Sequence, residues 1–126
     1  MFGTVLQVAI GGAMGASARY LTGVAIMRSI GPYEFPLGVI AVNILGSFIM
    51  GALVVFLGQR GLTHLNALLA TGFLGGFTTF SSFSLESWRL IDTGRYDLAA
   101  AYILASVTVS ILALIGGVHV MRTVLA

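Results

Sequence analysis

The sequence predicts an all-α integral membrane protein with four transmembrane helices, the third broken near its middle. Three observations lead there. Of 126 residues, 58% are hydrophobic and only 8% charged, about a third of the roughly 25% charge of a soluble domain. The mean hydropathy of +1.05 fits a chain whose surface meets lipid rather than water. The few charges also divide the chain into four largely apolar runs. Each is near the ~20 residues that a spanning helix needs, and none alternates with the period of a barrel strand. An ordinary soluble enzyme and a disordered tail are both excluded.

The first helix is expected over about residues 3–28, a run interrupted only by Arg19 and closed by Arg28. Ala16-Ser17-Ala18 resembles a leader-peptide cleavage site, but no basic residue precedes the run, so the segment reads as a retained span. Gly31 and Pro32 mark the turn that follows. The second helix, about 35–58, stops at Arg60-Gly61. The third, about 65–92, holds the stretch Thr71 to Ser84, where Gly75-Gly76 runs into a dense series of hydroxyls. That makes a poor continuous helix, and a break is expected near 75–79. Gly94 separates it from the fourth helix, about 97–122, so residues 1–126 form a single four-helix domain.

Small residues suggest where helices meet. Gly11 and Gly15, and Gly72 and Gly76, have GxxxG spacing, and Ser47 and Gly51 form a related pair. Tyr20, Tyr33, Trp88 and Tyr96 lie near helix ends and read as interfacial belt residues.

All six basic residues are arginines, and they are scattered, so there is no phosphate-loop lysine and no basic patch for nucleic acid. The absence of cysteine removes disulfides and thiolate chemistry. His64 and His119 are far apart and read as interfacial rather than metal-ligating. No enzymatic constellation remains. With four spans, Arg60 and Arg122 share one side, and Arg28, Arg89 and Arg95 the other. This near balance admits two explanations. Another feature fixes the orientation, or the chain inserts both ways and forms an antiparallel, dual-topology homodimer.

The polar residues within the spans carry the chemistry. Arg19 either snorkels to the interface or lines a vestibule that attracts anions. Asn43, the only amide of the second run's centre, makes an interhelical hydrogen bond or presents a donor to a pore. Phe80 and Phe83 share a helical face, either as core or with positive ring edges toward an ion. Tyr102, Ser106 and Ser110 follow at i+4 steps as one hydroxyl stripe, with Thr108 off it. Bonding back to the preceding turn would satisfy such hydroxyls, but three in line point to a polar path. No carboxylate lies mid-span; Glu86 sits at the end of the third run. An interior that donates hydrogen bonds without negative charge suits an anion better than a cation.

Together, Gly11-Gly12 through Arg19, Val42-Asn43 with Gly46 and Gly51, and Thr71-Gly72 through Ser84 resemble the Fluc/CrcB fluoride channels, small bacterial four-helix proteins. The resemblance covers the whole chain. It implies a multi-pass protein of the bacterial inner membrane that exports fluoride passively and relieves its toxicity. It further implies an antiparallel homodimer with two pores and a structural Na⁺ at its centre. Main-chain carbonyls of Gly75 and Thr78 would hold the Na⁺. Asn43, Phe80, Phe83, Tyr102 and Ser110 would line the pore, joined by the neighbouring hydroxyls of Thr79, Ser82 and Ser106, with Arg19 in the vestibule. Ser82 stands where Thr is common in the family and keeps the hydroxyl, whereas Val39 stands where many relatives have Thr. The alternative is a small proton-coupled multidrug exporter, a class that depends on a carboxylate in the first helix.

Overall fold

The computed structural model describes residues 1–31 and 34–126. Pro32 of the expected turn and Tyr33 of the expected aromatic belt lie outside the described residues. Helix α1 (Phe2–Ile30) ends at Gly31, whose φ of 99° few other residues adopt. Helix α2 (Leu37–Gln59) follows, then a turn through Gly61 at φ 67°.

The third unit is composite. A 3₁₀ turn (Thr63–Leu65) leads to a π-helical segment (Ala67–Leu74) and the single turn α3 (Gly75–Phe77). Thr78 and Thr79 are then extended, with ψ of 159° and 115°. Helix α4 (Phe80–Asp92) restarts because the Thr79 hydroxyl accepts the Ser82 N–H at 3.1 Å, an N-cap on its first turn. Gly75 and Gly76 themselves stay helical; the interruption falls on the two threonines that follow. Helix α5 (Tyr96–Leu125) completes the chain. Among the described residues there is no strand.

Among the described residues, three units are long and apolar enough to cross a membrane: Leu37–Gln59, Thr63–Asp92 and Tyr96–Leu125, with mean hydropathies of 2.4, 1.2 and 2.4. Helix α1 has comparable length at 29 residues, but Gln7, Ser17, Arg19 and its glycines dilute its apolar character. What it loses in hydropathy it uses in packing. A Cβ on Gly15 would run into the Phe73 carbonyl, and one on Gly76 would come within 2.6 Å of the Gly12 carbonyl. The Gly11/Gly15 and Gly72/Gly76 pairs therefore lie across one seam from each other, backbone on backbone.

Helices α2 and α5 meet in the same way. Gly51 lies against the Leu114 carbonyl, and Gly117 against that of Phe48. Gly117 is a contact residue that spacing alone did not single out. In one buried cluster Tyr102 is 0% exposed between Phe35 and Phe83, with ring centroids 5.5 and 5.4 Å away, and Leu90 and Ala99 complete it; Val42, Leu57, Leu74 and Phe77 are buried elsewhere. Tyr20, Trp88 and Tyr96 are exposed, as belt residues would be.

Candidate functional site

Ending a helix at mid-span strands backbone groups that lipid cannot satisfy. Two side chains from other helices meet that demand. The Thr79 N–H donates to Asn43 Oδ1 at 2.8 Å, and Asn43 Nδ2 donates to the Thr79 carbonyl at 3.1 Å. The amide acts as a surrogate peptide, pairing both polar groups of one residue. From α1, Arg19 Nε donates to the Gly76 carbonyl at 3.1 Å. The interhelical alternative for Asn43 is therefore realised, with one Nδ2 proton left over. Arg19 reaches inward to the break and does not merely snorkel.

Not every carbonyl is met. In a continuous helix, Gly75 O would accept from the Thr79 N–H and Thr78 O from the Ser82 N–H. Here the first N–H goes to Asn43 and the second to the Thr79 hydroxyl. The two carbonyls singled out for a cation are thus among those whose helical donors have been taken away.

Two cavities flank the break. An open cleft of about 630 Å³ extends from the end carrying Arg28 and Arg89 down to Val42, Thr79 and Ser82, with Arg19 and Val39 along its wall. Arg89 pairs with Glu86 at 2.7 Å, which leaves Arg19 and Arg28 to make the lining net positive. A groove of about 300 Å³ gathers Asn43, Thr78, Thr79, Phe80, Phe83, Ser106 and Ser110. Among the described residues, Thr79 alone lines both cavities. The extended residue is the partition between a basic cleft and a hydroxyl-bearing groove.

The groove brings together most of the residues expected at a pore. Phe80 and Phe83 are neighbours, with ring centroids 5.4 Å apart, and Phe80 is 77% exposed on the outer side. Ser106 and Ser110 line the groove, whereas Tyr102 lies buried in the core and Ser82 faces the cleft. The hydroxyl oxygens of Tyr102, Ser106 and Ser110 are buried without a hydrogen-bond partner among the described residues. Ser84 and Ser87, by contrast, bond back to the preceding turn. The Tyr102 and Ser106 hydroxyls are near enough to interact with one another, and the file as a whole leaves polar atoms on an apolar helix to be met by water or an ion.

The sequence reading missed the contribution of Arg28, Glu86 and Arg89 to the cleft. The available signal for Arg28 and Arg89 was their shared side in the orientation count, each in the last turn of a helix, and for Glu86 its place at the end of the third run. Outside the spans, Arg95 is held by Glu34 and Asp97. The hydrogen bond to Asp97 and the charge of Glu34 raise its already high pKa.

Residues 6–118 match the family described as CrcB-like protein, Camphor Resistance (CrcB). The chain belongs to the CrcB family. A relative from Ruegeria sp. (strain TM1040), named fluoride-specific ion channel FluC, is 57% identical over 97% of both chains. Relatives with the same name from Cereibacter sphaeroides (strain ATCC 17029) and Agrobacterium fabrum are 52% and 50% identical, over 97% and 94% of this chain. These CrcB relatives carry channel names, not enzyme names. The exporter alternative finds no support: the CrcB chain's acids are Glu34, Glu86, Asp92 and Asp97, none of them in α1.

Proposed function

We propose that this protein is a fluoride channel, not an enzyme, that lets fluoride leave the cell passively and so relieves its toxicity. The carrying observation is the break at Thr79, with a positive cleft on one side and unpartnered hydroxyls on the other. The channel names of relatives that align over nearly the whole chain support the same reading. Fluoride is small and strongly hydrated. It crosses where donors replace its water, and leaves because no single donor set binds it tightly. Arg19 and Arg28 raise its concentration in the cleft. The free Nδ2 proton of Asn43, the hydroxyls of Thr79, Ser82, Ser106 and Ser110, and the ring edges of Phe80 and Phe83 supply the donors, with Tyr102 packed behind them in the core.

In this proposal the working unit is an antiparallel homodimer in the bacterial inner membrane, with two pores. Near-balanced arginines support dual insertion. A phenylalanine 77% exposed beside the groove supports a second copy that covers it. The Gly75 and Thr78 carbonyls, deprived of helical donors, fit a structural Na⁺, which takes oxygen ligands and would need the same pair from the partner to complete its shell. The ion's contribution is to neutralise stranded carbonyls at the dimer centre.

The test is efflux from fluoride-loaded liposomes on adding a potassium ionophore, read with a fluoride electrode. Rapid fluoride loss with chloride retained is expected. Efflux no faster than from protein-free liposomes, or equal chloride efflux, refutes the reading.

A further inference from the structure

We infer that Arg19 is a positioning residue of the broken helix: its Nε–H fixes the Gly76 carbonyl and, through it, the turn that presents Thr78 and Thr79. The inference deepens the channel reading and rests on it for its flux readout. In an unbroken helix, the Gly76 carbonyl would accept from the Phe80 N–H, which lies beyond the break. Arg19, 57 residues away in sequence, replaces that donor at 3.1 Å. The bond starts from a rigid base, because the space above Gly76 is filled by the Gly12 carbonyl and the Ala16 N–H of α1, less than one turn before Arg19. Asn43 holds Thr79 from the α2 side. The break is thus pinned from two helices, once on each side of Thr78.

Only Nε is engaged in this bond, so the same side chain still lines the cleft with its charge. Charge and donor position can be separated chemically. Glutamine places an amide nitrogen at the chain position of arginine Nε but carries no charge. Lysine keeps the charge but puts a methylene at that position, with its donors one atom further out.

The experiment compares wild type, Arg19→Gln and Arg19→Lys in two measurements: hydrogen exchange of the segment around residues 78–82, and fluoride efflux against fluoride concentration. Positioning predicts that Arg19→Lys speeds exchange of this segment about tenfold and lowers the maximal efflux by a similar factor. Arg19→Gln should keep the protection, lose efflux chiefly at low fluoride, and approach wild type at saturation. Equal exchange in all three proteins, or faster exchange in Arg19→Gln alone, overturns the inference whichever variants conduct. If wild type passes no fluoride, the channel reading falls, while the exchange comparison still decides the role of Arg19.

Discussion

Replacing Asn43 by aspartate changes one group and exposes the logic of the site. Wild-type Asn43 accepts from the Thr79 N–H at 2.8 Å and donates to the Thr79 carbonyl at 3.1 Å. Aspartate keeps the first bond and turns the second into two oxygens facing each other. Leaving that carbonyl without a donor costs about 1–3 kcal/mol of stability. The new charge also confronts any anion in the groove. At ~4 Å and an effective dielectric of about 20, that repulsion is about 4 kcal/mol, roughly three orders of magnitude in occupancy. Asn43→Ala loses both bonds but introduces no charge. Liposome efflux at neutral pH should therefore rank wild type first, Asn43→Ala next and Asn43→Asp last. Thermal unfolding in detergent should show both variants less stable. The reasoning is refuted if Asn43→Asp conducts like wild type, or conducts faster than Asn43→Ala.

Ser106→Ala and Ser110→Ala should slow fluoride efflux severalfold without lowering thermal stability, since neither hydroxyl has a geometric hydrogen-bond partner among the described residues; a loss of stability would show that the chain itself uses them. Gly15→Ala should destabilise by about 1–3 kcal/mol, because its Cβ meets the Phe73 carbonyl and backbone cannot step aside. Gly58→Ala, with open space around it, should be neutral or slightly stabilising in the same melt. Arg95→Ala should leave both melting and efflux unchanged, its contacts to Glu34 and Asp97 being exposed to water. A C-terminal tag should be half accessible to an impermeant label on intact inverted vesicles; full accessibility, or none, would rule out dual insertion.

The parts legible in the sequence were those set by composition and local spacing. Apolar runs gave the helices, and the threonines after Gly75-Gly76 gave the interruption, because a hydroxyl that can cap a helix also competes with it. The i+4 steps of Tyr102, Ser106 and Ser110 placed them on one face, but packing decided that Tyr102 sits in the core while the serines reach the groove. The π-helical turns over Ala67–Leu74 left no signature, since Ala, Leu and Gly serve either geometry. Least legible were the bonds of Arg19 to Gly76 and Asn43 to Thr79. Each spans tens of residues, and sequence could mark the side chains as anomalous without naming their partners.

The interruption at Thr78–Thr79 also has an electrostatic consequence. It creates two helix ends inside the membrane, where peptide dipoles leave about half a negative charge on the carbonyl end after α3 and half a positive charge on the amide end of α4. The N–H groups of Phe80 and Ser81, in the first turn of α4, have no carbonyl one turn back within their own helix. Two poles of opposite sign therefore stand a few residues apart, the negative one beside the Gly75 and Thr78 oxygens and the positive one at the groove. A cation on the first pole would add to the field that draws an anion to the second. A structural sodium would then be an electrostatic ally of the permeating fluoride rather than a bystander to it.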